Sequence, residues 1–150
     1  MLQLQHQHNP ETTEADYLQI IDGKTSRLFM MATIGAALLQ NRADLSDTLG
    51  AFAYHFGNAF QIIDDILDFS GDATIMGKNL GDDLAEGKPT LPIIKTLEIL
   101  KNNQSADYDT LRIAVQTGKI DDPLKLIHLV QSSGALQYCT KRALQETALA

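Results

Sequence analysis

Gln61-Ile62-Ile63-Asp64-Asp65-Ile66-Leu67-Asp68 sets three carboxylates and an amide into a segment that is otherwise mostly apolar from Leu49 to Phe69. Phe52, Phe56, Ala59, Ile63 and Ile66 recur at helical spacing, which predicts the buried side of a long helix. Leu49, Ala53, Phe60 and Leu67 fill its flanks. Gly57, Gln61, Asp64 and Asp68 follow the i, i+4, i+7, i+11 spacing of one helix face. Asp65 stands about 100° round from Asp64. Ionised carboxylates in such surroundings are costly unless they are paired or bound to a metal, and like charges one turn apart repel. A solvated face and a partner helix bearing Lys or Arg are the plainer readings. The apolar circumference argues against the first, and the spacing argues for a hard cation.

Outward from this segment the chain reads as helices throughout. Pro10 ends an opening stretch that reads as mid-helix. Its His6 and His8, at i, i+2, cannot share a helix face, so no metal pair is expected there. Thr12 or Thr13 caps the next helix, with Glu14 and Asp16 in its first turn. Gly23 predicts a kink or break, after which Leu28, Phe29, Met31, Ala32, Ile34 and Leu38 supply a buried side as far as Leu39. Ser46 is the expected N-cap of the long helix, and Gly71 its C-cap. Residues 71–90 hold four glycines and no apolar periodicity, the mark of a functional loop. Beyond it, helices are expected over 91–101, over 106–117 between Ser105 and Gly118, over 123–132 capped by Asp122, and from Ala135 onward. No β-pattern persists, so the fold class is all-α, one helical bundle over 1–150 with no internal boundary.

The composition is that of an ordinary globular domain, 44% hydrophobic and 21% charged. A net charge of −7 without a basic patch disfavours a nucleic-acid partner. No apolar run is long enough for a transmembrane span, and no signal peptide is legible at the start. The lone Cys139 excludes an internal disulfide and suits the cytoplasm. It reads as a small packing residue.

Carboxylates bind hard cations through oxygen, and Mg²⁺ so held also bridges to substrate phosphates. Lys24-Thr25 follows a glycine at the expected helix break, where free backbone N–H groups favour phosphate. Lys78 and Lys88 lie in the glycine-rich loop directly after the acidic helix. Each alone is an ordinary surface lysine, whereas together with the acidic stripe they suit a diphosphate. Asp82-Asp83-Leu84-Ala85-Glu86, between Gly81 and Gly87, reads as a loop or one-turn element close to such a site.

Phe60-Gln61-Ile62-Ile63-Asp64-Asp65-Ile66-Leu67-Asp68-Phe69 resembles the second aspartate-rich motif of the trans-polyprenyl diphosphate synthases. Gly23-Lys24-Thr25 resembles their lysine–threonine element, and residues 77–92 are similar to bacterial octaprenyl diphosphate synthases. The resemblance runs across essentially the whole chain and implies the isoprenoid synthase type of helical bundle. It implies a prenyltransferase in which Mg²⁺, held by Asp64, Asp65 and Asp68, binds an allylic diphosphate. That substrate's departing diphosphate leaves a carbocation, which alkylates isopentenyl diphosphate. By position Lys24, Thr25, Gln61 and Lys88 would hold the allylic diphosphate, with Lys78 a further candidate.

The family's first aspartate-rich motif and its paired arginines have no counterpart here. Arg27, Arg42, Arg112 and Arg142 all stand alone. The resemblance therefore covers the C-terminal half, and the expected partner is either a second copy of the chain or a separate N-terminal half. A non-catalytic binding module and a terpenoid cyclase are the competing readings. The lysine–threonine element and the 77–92 loop argue against the cyclase.

Overall fold

A computed structural model describes residues 2–70 and 81–150, and among these the chain is helical without a strand. Helix α1 spans Leu2–His6, α2 Glu14–Ile21, α3 Arg27–Leu39 and α4 Ser46–Ser70. The one-turn α5 covers Asp82–Ala85, followed by α6 Leu91–Asn102, α7 Asp107–Thr117, α8 Pro123–Ser132 and α9 Ala135–Leu149. The expected C-cap Gly71 and the site candidate Lys78 lie outside the described residues.

Local chemistry accounts for most of the boundaries. Asp16 N–H donates to Thr13 Oγ1 at 3.2 Å while Thr13 N–H donates to Asp16 Oδ2 at 3.0 Å, a capping box that starts α2. Lys125 N–H donates to Asp122 Oδ1 at 3.0 Å at the head of α8, where Pro123 needs no donor of its own. Gly118 ends α7. Two boundaries differ from the sequence reading. Ser46 does not cap α4: a 3-10 turn over Ala43–Leu45 runs directly into it, and Ser46 Oγ finds no partner. Gly23 does not break its helix either. Asp22–Ser26 forms a π-turn in which Arg27 N–H reaches back to Asp22 O, so α2 and α3 join into one rod. The backbone N–H groups expected to be free at a break are thus used within the helix.

Helix α4 packs between this rod and α9. Its buried side differs from what the apolar count suggests, although Ala59 and Ile66 are buried as expected. Gly57, Asn58, Gln61, Ile62, Asp65, Ile66 and Phe69 face inward, whereas Phe52, Phe56, Phe60, Ile63 and Leu67 are exposed, Phe60 by 52%. Leu28, Met31 and Leu38 of α3, also expected inside, are exposed as well. Phe29 joins the outer aromatic row, its ring centroid 5.5 Å from that of Phe56 and 5.8 Å from that of Phe60. The reason for the difference is steric. A Cβ on Gly57 would lie 2.7 Å from Ser26 Cα, so the two helices touch backbone to backbone there and leave room for small or mutually bonded side chains only.

Behind this crossing, α9 closes the bundle through buried polar groups. Glu146 accepts from His55 Nδ1 at 2.7 Å, from Asn58 Nδ2 at 3.1 Å and from Arg142 at 2.6 Å. These partners hold its carboxyl below the ordinary range although burial pushes it up. Ile62, Ile66, Tyr17, Leu91, Ile94 and the fully buried Cys139 form one apolar cluster. Phe69, Leu84, Ile93, Leu111, Val115 and Val130 anchor a second, under α5.

Gly57→Ala forces a methyl against the Ser26 backbone and is expected to cost about 1–3 kcal/mol, the range for an overpacked interior site. Urea denaturation of the variant beside the wild type measures it.

Candidate functional site

The inward row of α4 carries a chain of hydrogen bonds that joins it to the rod. Thr25 Oγ1 donates to Gln61 Oε1 at 2.9 Å, and Gln61 Nε2 donates to Asp65 Oδ1 at 2.9 Å. Tyr17, on α2, donates its phenol to Asp65 Oδ2 at 2.6 Å. Asp65 is 4% exposed, so both its oxygens are engaged by protein donors in a dry setting. Burial lifts its carboxyl to about 7, while the bonds from Tyr17 and Gln61 pull the other way. The π-turn is what brings Thr25 to Gln61: one extra residue in the turn turns its side chain onto α4. Such turns recur at functional sites for that reason.

The outer row ends in solvent. Asp64 is exposed, and Asp68, one turn on, is partly covered by α5. Gly81, at φ +80°, turns the chain so that its N–H donates to Asp68 O at 3.0 Å. Asp83 N–H, in the first turn of α5, donates to Asp68 Oδ2 at 3.2 Å. The Asp83 carboxylate comes along with that N–H. Burial first, then the charge of Asp83, push the Asp68 carboxyl up to about 6. Lys88 donates to Asp83 Oδ1 at 3.2 Å and to Glu86 Oε2 at 2.6 Å. Glu86 is held below its ordinary value chiefly by Lys88. Lys24 is exposed and directly precedes Thr25, whose hydroxyl meets Gln61 on α4.

Lys24, Thr25, Gln61, Asp64, Asp68 and Lys88 therefore gather around the C-terminal half of α4, as their order in the sequence suggested. The three aspartates do not converge. Asp64 faces solvent, Asp65 faces the rod and Asp68 faces α5. Among the described residues no three His, Cys, Asp or Glu side chains form a group able to hold a metal ion. The donor set still fits a hard cation at Asp64 and Asp68, which both offer carboxylate oxygen one turn apart. Asp65 fits a positioning role better than that of a ligand, because both its oxygens are already engaged. Tyr17 and Asn58 escaped the sequence reading, since each sat in an apolar pattern whose inner side was misassigned. Small residues at Gly50, Ala53 and Gly57, spaced i, i+3, i+7, were the available sign of a close helix crossing.

The family sequence model described as "Polyprenyl synthetase" matches residues 1–126. The all-trans-nonaprenyl-diphosphate synthase (geranyl-diphosphate specific) of Rhodobacter capsulatus is 56% identical over 98% of this chain and 44% of its own length. The octaprenyl diphosphate synthase of Haemophilus influenzae is 37% identical over 96% of this chain and 44% of its own. The crystal structure of a polyprenyl synthase from Caulobacter crescentus CB15, complexed with calcium and isoprenyl diphosphate, matches with a TM-score of 0.83 at 31% identity. It is covered over 45% of its length by 99% of this chain. The chain spans less than half the length of these relatives. No helix among the described residues is long and apolar enough to cross a membrane.

The Asp68 carboxyl gives the metal-free chain a definite pH response. Its folded-state value lies above the ordinary 3.8, so its contribution to stability is complete below that value and is lost as the pH rises through about 6. Asp65 acts with the same sign. Thermal melts in chelator should show the midpoint falling across this window, and falling less in Asp68→Asn.

Proposed function

The chain belongs to the polyprenyl synthetase family, and on that premise we propose that it forms one wall of the active site of a Mg²⁺-dependent prenyltransferase. The reaction is the condensation of an allylic diphosphate with isopentenyl diphosphate to a longer polyprenyl diphosphate. The observation that carries this reading is the gathering of Lys24, Lys88, Asp64 and Asp68 at one end of α4, beside the Thr25–Gln61 pair. The complex of the Caulobacter crescentus enzyme with calcium and isoprenyl diphosphate supports the same pairing of cation and diphosphate.

Lys24 and Lys88 carry the positive charge that receives the diphosphate. Lys88 already lies between Asp83 and Glu86, so an arriving anion draws it from those carboxylates. Lys78, in the same loop, is assigned to the diphosphate by sequence position alone. Asp64 and Asp68 hold Mg²⁺, with Asp65 acting from behind them. Bound Mg²⁺ would supply Lewis-acid stabilisation of the departing diphosphate's charge. Thr25 has given its hydrogen to Gln61 and can only accept from other groups, so this pair forms a neutral polar floor beside the charged lysines. The exposed row of Phe52, Phe56 and Phe60 continues down α4 from Asp64 and supplies the apolar wall that keeps water from the prenyl chain.

A product in the octaprenyl range rests on the names of the relatives. The facing wall, with the site for isopentenyl diphosphate, is proposed to come from the part of the relatives that this chain does not cover. Association with that part, or with a second copy, covers the aromatic row. A non-catalytic partner-binding module is the second reading, favoured by the same exposed row. A cytoplasmic setting accords with the single buried cysteine.

Asp64→Ala should weaken Mg²⁺-dependent binding of inorganic diphosphate at least tenfold, measured by calorimetry. Its melting temperature should be unchanged, because Asp64 is exposed. Incubated alone with Mg²⁺, an allylic diphosphate and radiolabelled isopentenyl diphosphate, the chain should yield no elongated product. Robust elongation would overturn the division of the site between two walls.

A further inference from the structure

We infer that Tyr17 and Asp65 are a positioning pair that sets the direction of the hydrogen bond between Gln61 and Thr25. Its consequence for diphosphate binding rests on the function proposed above, while the geometry stands apart from it. Tyr17 lies eight residues before Thr25 on the same rod, and both bond to residues one turn apart on α4. All four side chains are buried. The rod is thereby fastened to α4 at one point ahead of the π-turn and at one within it.

The direction follows from the inventory of donors and acceptors. Both oxygens of Asp65 accept, one from Tyr17 and one from Gln61, so Gln61 turns its NH₂ toward Asp65 and its carbonyl toward Thr25. A hydroxyl has one hydrogen, and that of Thr25 then points inward at Gln61. Its outer side can only accept. Tyr17 supplies the second donor to Asp65, without which the buried carboxylate would turn toward other donors. Fastening alone does not account for the pair, because apolar residues of similar shape could fasten the helices as well as a buried charge does. The two engaged acceptors add polarity: they decide which end of the Gln61 amide meets the residue next to Lys24.

The test reads that polarity in the isotopically labelled chain by NMR. Asp65→Asn keeps the shape of the side chain and can still accept from Tyr17, but it turns an NH₂ toward Gln61. Gln61 should then reverse, and the Overhauser effect between its NH₂ and the Thr25 methyl should strengthen several-fold. Tyr17→Phe should shift the Gln61 amide and Thr25 methyl resonances and leave the binding of inorganic diphosphate with Mg²⁺ no weaker, because any loosening of the Thr25 hydrogen makes it available to the anion. A Tyr17 that served packing alone would lower the melting temperature and leave both resonances in place, which would overturn the proposal. An unchanged Overhauser pattern in Asp65→Asn would overturn it equally, even if Tyr17→Phe failed to fold. If the wild type bound no diphosphate while both variants moved the resonances as stated, the proposed function would fail and the positioning pair would stand.

Discussion

Contact between the backbones of α4 and the α2–α3 rod, at Gly57 and Ser26, constrains everything around it. Two helices this close leave no space between them for large apolar side chains. The interface is filled by small residues and by polar ones that satisfy each other: Ser26 with Asn58, Thr25 with Gln61, Tyr17 with Asp65. A polar group buried without its partner would cost more than the pair contributes, so these rungs stand or fall together. The large rings are turned outward as a result, and the molecule gains an aromatic flank as a by-product of its tightest contact.

The acidic end is organised by a different balance of charge. The one-turn helix α5 offers Asp68 a backbone N–H and, from the same residue, a second carboxylate. Attraction and repulsion thus arrive together, and burial, the larger influence, adds to the repulsion and leaves the Asp68 carboxyl hard to ionise. Lys88 tempers this only in part, being shared between Asp83 and Glu86. The described groups around Asp68 thus carry more negative than positive charge.

How far the sequence could be read differs between these two regions. Signals that act within one turn were legible: the Thr13 capping box, Asp122 ahead of Pro123, Gly118 at a helix end. The cluster of Lys24, Gln61, Asp64, Asp68 and Lys88 was legible too, through order and spacing. The inner face of α4 was not, because counting apolar residues assumes that apolar means inside. That assumption fails where polar side chains pair across a close crossing, as Gln61 and Asp65 do. The break expected at Gly23 failed for a related reason. A glycine signals permissiveness, and here the neighbouring helix fixed how that freedom was used, as one extra residue in an unbroken rod.

The π-turn at Asp22–Ser26 also bears on how this stretch of the chain can change over time. Each residue in a helix advances the direction of its side chain by about 100°. Eight regular steps from Tyr17 to Thr25 would leave their side chains about 80° apart, but the π-turn absorbs one residue, so the two return to nearly the same face and both meet α4. Loss of one residue from the turn would restore a regular α-helix and keep that phase. A further insertion would have to be absorbed by a second widened turn. The stretch can therefore shed its extra residue without rotating one part of the rod against the other.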